Sequence, residues 1–589
     1  MTPAPRHIAT LLALFATAPL FGANETIKST TTPLSTDRLL VTTGGNWADN
    51  SAPLAGDDLF FNDISGGNRL VVHNSAGATV FTFNSLNFTQ TSAFINRLDV
   101  RAPMTVANAI TLAASAGGQT VLRVDTADLA SNAGTNRLTT YAAQTSGAST
   151  ALTVSSVTVD ANASLVFARN LATSGTGIPI YVSGNITVNN GGSFVVNRGF
   201  RPTPTLNATT NPGTNSNAST SVTYQVGGAV SLAPGATLSI ATDNAGITDA
   251  NSGAETELAD TRLQINGNFT ATGGSITSGN TGAADLGLAG ATNSIAAGTN
   301  LNTTDLLLTT STATNQSLTS GAALNGLGLI SSGNSIKTVT ATAQVGNITF
   351  RQNTNASELT LKLGADLQLK TGSSLGVGTL GASGTGVTQA FTIDTSGFAL
   401  DGSTAAVKFD NSNKDRTSHW TVTGGGSVSA DTITFDAKAD AGFTNSAPSL
   451  TVTAGTDLTA ASFDATNVGT ITLGVGGLAD FARVSAPVQT FAGALVVNLT
   501  AAPAAGSYQL FGAAGGTGDF ASVSITGAES VSLSGLNAWS GSSLDFNYTF
   551  SELSGMLTIS STAIPEPGTF AALAGLLGLG FAGLRRRRA

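Results

Sequence analysis

Acid-base or metal chemistry in this 589-residue chain would have to be built from very few parts, because it contains three histidines and no cysteine. His7 belongs to the N-terminal leader, so His73 and His419 alone remain for a zinc site or a Ser-His-Asp relay. Carboxylates are also sparse. Asp57-Asp58 is the one adjacent acidic pair beyond the leader, the kind of pairing that hydrolases of polysaccharides use for general acid-base work. The richest polar segment is Asp410-Asn-Ser-Asn-Lys414-Asp415-Arg416, followed by His419-Trp420. Its side chains are spaced loosely as in a calcium loop, yet the obligatory glycine and distal glutamate are missing and Lys414 stands where a ligand would. This segment reads as a solvated loop, with an ion or ligand site as the alternative. No catalytic residue, metal ligand or cofactor is assigned.

The elements that would position such residues follow from composition and periodicity. Charged residues make up 10% of the chain, where soluble domains carry about 25%, while 41% of residues are hydrophobic and glycine numbers 69. Disordered chains lack hydrophobic residues; here they recur in short alternating runs. The net charge is −9, and more negative once the arginine-bearing ends are set aside, which excludes nucleic acid as a partner. Without cysteine, no disulfide can support the fold outside a cell.

A degenerate repeat organises the middle of the chain. Asn185-Ile186-Thr187-Val188 and Ser193-Phe194-Val195-Val196 are alternating segments joined by an Asn/Gly turn. The same pattern recurs around Val230 and Leu238 with Pro234-Gly235 at the turn, around Phe269 and Ile276, and more weakly around Val157 and Leu165. Period-2 alternation places one residue in two against a shared interior and leaves Ser, Thr and Asn in water. Each unit is too small to bury its own core, and stacking unit on unit solves this. The intervals from Val157 to Ile186, Val230 and Phe269 are uneven, which suits corners carrying loops of different length. The expected fold is therefore all-β, a parallel β-helix (solenoid) with irregular loops. Thr205 to Thr220 and Thr277 to Asn302, rich in Gly, Ser, Thr and Asn, read as loops or insertions. Asn87, Asn185 and Asn268 each open an Asn-x-Thr triplet, and glycosylation of the hydroxyl-rich surface is a reasonable expectation.

Both ends read as addresses. Arg6 and His7 precede an apolar run from Ile8 to Phe21 and small residues at Gly22-Ala23, the order of a secretory signal peptide, here residues 1–23. At the other end Pro565, Glu566, Pro567 and Gly568 precede an apolar run from Thr569 to Leu584, then Arg585, Arg586, Arg587 and Arg588. The apolar run is short of the roughly 20 residues that span a bilayer, with snorkelling arginines to make up the difference. This tail resembles the PEP-CTERM sorting signal of Gram-negative bacteria. The resemblance implies an exosortase-type processing enzyme as partner, Pro565 to Gly568 as recognition residues, transient insertion of a transmembrane helix in the inner membrane, and Arg585 to Arg588 as its cytoplasmic flank. A plain C-terminal anchor is the alternative.

Asn46-Trp47, Pro53 and Gly56 to Phe61 are similar to the opening of autotransporter-like surface proteins that carry the same tail. Tyr508, Phe511, Phe520, Trp539 and Phe546 to Phe550 look like the compact β module preceding it. The expected organisation is thus an N-terminal cap and first strands (24–110), a β-helix region (111–500), a C-terminal β module (501–563) and the sorting signal (564–589). A carbohydrate-binding aromatic platform is the alternative reading of the C-terminal aromatics. The expected function is that of an exported cell-surface or extracellular-matrix structural protein, adhesin-like, in contact with exopolysaccharide or other surface polymers. A β-helix carbohydrate-active enzyme and a passive carbohydrate-binding protein are the alternatives.

Overall fold

The computed structural model describes residues 22–28, 39–63, 69–73, 81–100, 103–125, 152–168, 180–197, 222–242, 261–278, 284–303, 305–309, 315–331, 333–352, 357–378, 387–411, 416–436, 446–512, 516–562 and 567–586. The signal peptide up to residue 21 and the Thr205 to Thr220 stretch lie outside them. The chain divides into two compact units, Met1–Leu286 and Gly287–Ala589.

In the first unit each turn of the chain contributes three short strands, and each strand pairs in parallel with its counterpart one turn on. This is a parallel β-helix. The positions equated from sequence are direct neighbours: Val157 pairs with Ile186, Ile186 with Val230, and Val230 with Phe269. One face further on, Leu165, Phe194, Leu238 and Ile276 form a second such row. All eight side chains are fully buried or nearly so. Stacking like on like closes the interior that no single turn could close, and the backbone ladder satisfies the polar groups that this burial would otherwise strand. Phe167, Tyr181 and Tyr224 extend the same logic, with ring centroids 5.4 and 5.2 Å apart along the stack.

Corners are where the sequence chemistry is most local. Asn162, Gly191 and Gly235 occupy equivalent corners with φ of 60°, 77° and 78°, a region that costs other residues about 1–2 kcal/mol. Successive corners bond to one another, Asn162 N–H to Gly191 C=O at 3.1 Å and Gly191 N–H to Gly235 C=O at 3.2 Å. A β-carbon on Gly191 would also lie 3.2 Å from that of Ala161. Gly191→Val is expected to lower the unfolding free energy by about 2 kcal/mol, and Gly191→Asn by less than half of that, read as shifts of the urea midpoint.

The second unit builds its turns mainly from two longer strands. Ser335–Ala341 with Val345–Gln352, Val387–Asp394 with Ala399–Lys408, and Arg416–Thr423 with Ser427–Thr434 are examples. Ala399–Lys408 takes a register shift between Gly402 and Ala406 against its neighbour, so a bend within one strand replaces a corner. Strands Thr292–Ile295 and Asn300–Asn302, with Ser275–Ser278 and Ala284–Leu288 before them, occupy the stretch from Thr277 to Asn302. The described residues of that stretch are therefore largely rungs of the helix, which corrects the expectation of a loop for them. Near the C-terminus the pairing turns antiparallel, from Ser522–Gly527 through Val531–Leu536, Ala538–Ser542 and Phe546–Ser551 to Met556–Ser561. Hairpins need no crossover, so the ladder can end on itself and leave no long parallel edge open. A helix, Pro567–Arg586, follows.

Candidate functional site

The residues singled out for chemistry are mostly committed to the scaffold. Asp57 is buried and accepts the Ala23 and Leu54 N–H groups at 2.8 and 2.6 Å. Asp58 accepts Asn84 Nδ2 at 2.8 Å and the Ser85 hydroxyl. Asp57 precedes the strand Asp58–Phe61, and both carboxylates are taken up by hydrogen bonds within the chain. His73 is fully buried, packed edge-on against Phe81 and Phe83, and burial pushes its pKa down to about 4. It is a neutral core side chain at ordinary pH.

Ser412 to Asp415, the middle of the segment expected as a solvated loop, lie outside the described residues, while its first two residues are shut in. Asp410 and Asn411 are each 1% exposed. The Asn411 amide accepts the Ser418 N–H at 2.9 Å and donates to the Ser446 carbonyl, clamping the turn. Trp420 points inward and donates its indole N–H to the Asp410 carbonyl at 3.1 Å. His419, next to it on the strand, faces outward with Nδ1 2.5 Å from Ser449 Oγ. Lys414 and Asp415 lie outside the described residues. Among the described residues no group of three or more His, Asp or Glu side chains is arranged to hold a metal ion.

The aromatic clusters at the two ends are cores as well. Trp47 is fully buried and donates to the Val41 carbonyl at 2.8 Å. Tyr508, Phe511, Phe520, Tyr548 and Phe550 are buried, so these rings offer no face to a ligand, and Phe546 is half-buried. Trp539 donates to Glu552 Oε1 at 2.7 Å, and the same oxygen takes the Phe520 N–H at 3.1 Å. Burial raises the Glu552 pKa against these bonds, and nearby Asp519 raises it further.

What faces outward in a regular way is hydroxyl. In the first unit Thr111, Thr158, Thr187, Ser231 and Thr270 stand in one row across five strands. In the second unit Thr421, Thr451 and Thr472 form another, in line with Thr360 and Thr392, which are buried. Neighbours in such a row are separated by the strand spacing of about 4.8 Å. His419, Ser449 and Thr470 run beside the second row, and Thr453 donates its hydroxyl to that of Thr423 at 2.9 Å on its other side. Glu358 accepts the Thr392 hydroxyl at 2.7 Å. The alternation Thr421-Val-Thr423 and Thr451-Val-Thr453 carries this signal in the sequence, but only the register lines the threonines up.

The tail is a helix from Pro567 to Arg586. Pro567, lacking an N–H, suits its first position, and Arg585 and Arg586 lie in its last turn, where the helix dipole favours positive charge. Leu573, Leu576, Leu577, Leu579, Phe581 and Leu584 are all more than half exposed. Pro565, Glu566, Arg587 and Arg588 lie outside the described residues. Among the described residues no helix is long and apolar enough to cross a membrane, which corrects the expectation of a transmembrane segment. Gly575, Gly578, Gly580 and Gly583 dilute the apolar run, and Arg585 closes it short of the roughly 30 Å of a hydrocarbon core.

Compared with protein-family models, with curated proteins and with solved structures, the chain finds no match.

Proposed function

We propose that this chain is an exported structural protein of the cell surface or extracellular matrix, adhesin-like, delivered through its C-terminal tail. The observation that carries this reading is the stacking of Ser and Thr side chains into long outward rows on a hydrogen-bonded scaffold that needs no disulfide. Such rows offer donors and acceptors at a fixed repeat and carry little charge, a surface suited to lasting contact with neutral polymers. Its low charge also lets copies approach one another without strong repulsion. The exposed apolar helix with arginines in its last turn is the part presented to a processing enzyme of the exosortase kind, with Pro565 to Gly568 as its recognition residues and Arg585 to Arg588 drawn to an anionic membrane surface.

Fractionation of cells producing the wild type and Glu566→Ala tests this reading. The wild type is expected at the surface or in the matrix with its tail removed, and the variant is expected to stay with the inner-membrane fraction at full length. Identical processing and location of the two would overturn sorting through the tail. Release of reducing ends from a panel of polysaccharides by the purified protein would overturn the purely structural role.

A further inference from the structure

One corner of the second unit carries a cavity of about 330 Å³, within the range of small-ligand sites. Three successive turns of the chain build it. The corners after Ser335–Ala341 and after Glu358–Leu363 are short and supply alanines together with Thr342 and Asp366. Gln368, on the next strand, adds an amide, and Phe398 adds an aromatic ring.

Phe398 is out of keeping with the rest of the molecule. The described tyrosines and tryptophans are all buried, whereas Phe398 keeps 37% of its surface exposed. Phe398 is also held firmly. Its corner passes through Ser396 and Gly397 at φ of 49° and 85°, its N–H donates to the Thr395 carbonyl at 2.9 Å, and its carbonyl accepts the Ser427 N–H at 3.2 Å. The Thr395 hydroxyl fixes the turn from the other side, donating to the Thr423 carbonyl at 2.7 Å and accepting the Gly426 N–H at 2.9 Å. Asp366 is oriented by the Ala399 N–H, which its Oδ1 accepts at 2.9 Å. A hydrophobic ring left partly exposed by a rigid turn, beside a carboxylate and an amide, is a preorganised arrangement.

We infer that this corner is a binding subsite for one residue of a neutral saccharide. A pyranose ring has an apolar C–H face, which matches Phe398 and the alanines, and a rim of hydroxyls, which matches the Asp366 carboxylate as acceptor and the Gln368 amide and Thr342 hydroxyl as donor and acceptor. Asp366 and the net charge of −9 select against uronic or sulfated sugars. The inference deepens the surface-protein reading and rests on it for the encounter with a polymer.

Titration calorimetry of the purified full chain with cellohexaose, maltohexaose and laminarihexaose tests it, with glucose as the single-residue arm and a tri-galacturonate as the charged comparator. At least one neutral hexasaccharide is expected to bind at millimolar concentration or better, and the galacturonate is not. Phe398→Ala is expected to weaken binding tenfold or more and Asp366→Asn severalfold, while Asn108→Ala, at an exposed position of the first unit outside the hydroxyl rows, leaves it unchanged. An unaltered urea midpoint in Phe398→Ala separates loss of the site from loss of the fold. Absence of binding by all three hexasaccharides, or binding that Phe398→Ala leaves intact, would overturn the subsite. A protein that reaches the surface yet binds none of them loses this inference alone; one that binds yet is not delivered loses the surface-protein reading alone.

Discussion

Lys337→Met is expected to stabilise the protein at pH 7 by roughly 2 kcal/mol, although it deletes a hydrogen bond. Lys337 sits in the strand Ser335–Ala341 with its side chain turned into the interior of the second unit and no exposed surface. Its ammonium donates to Gln316 Oε1, and Gln316 in turn donates to the Leu288 and Gly290 carbonyls at 3.1 and 3.2 Å. Burial without a counter-charge lowers its pKa from 10.5 to about 7. The folded state therefore holds the proton less tightly than the unfolded chain does, and between these two values the unfolded state binds more protons. Stability must then rise as pH rises from about 7 toward 10.5. The gain is about 2 kcal/mol between pH 7 and pH 9 at 1.36 kcal/mol per pKa unit.

Methionine has similar length and no charge to desolvate, so it removes both the penalty and the pH slope. The Gln316 oxygen loses a partner, which offsets part of the gain. Urea unfolding at pH 7 and pH 9 reads both effects. A wild type whose stability is flat across this range, or a Met variant that keeps the slope, would show that Lys337 does not titrate in the core. His73, with its pKa lowered to about 4, acts in a separate window: its stabilising effect is lost as pH falls from 6.5 toward 4, so the two groups are resolved by choice of pH.

Trp420→Ala is expected to cost about 3–5 kcal/mol. The indole is 1% exposed and lies at the centre of an aromatic cluster, with ring centroids 4.8 Å from Phe391, 5.2 Å from Phe350 and 5.3 Å from Phe409. Truncation leaves a large cavity among rings that the sheet backbone holds apart, and removes the indole N–H that the Asp410 carbonyl accepts. Trp420→Phe keeps most of the contact and is expected to cost less than half as much. Equilibrium unfolding in urea distinguishes the two, and a loss under 1 kcal/mol for the alanine variant would mean that this cluster does not anchor the unit.

How far these features could be read beforehand depended on whether a residue obeyed the alternation. Val157, Ile186, Val230 and Phe269 did, and their pairing is visible as a repeat in the sequence. Around Thr292–Ile295 the signal failed because Asn293 fills an inward slot opposite Leu318. Its amide reaches the Gly290 carbonyl at 3.0 Å, so a polar residue does the work of an apolar one and the stretch reads as loop. Lys337 and Gln316 hid in the same way. Trp420 misled in the opposite direction: its neighbours Asp410 and His419 are polar in sequence, yet an inward strand position put the ring in the core.

By itself the sequence determined the period-2 strands, which of their positions face inward, the Asn and Gly turns between them and the absence of disulfides, because each depends on residue type or on residues within a few positions of one another. Only the tertiary structure decided which threonines stand in line, which polar side chains are shut inside, and that Thr342, Asp366 and Phe398 share one cavity. Those groups lie more than twenty residues apart along the chain. What brings them together is the length of each turn of the helix, and that length is set by how strands register against the turn before, an interaction that no local pattern encodes.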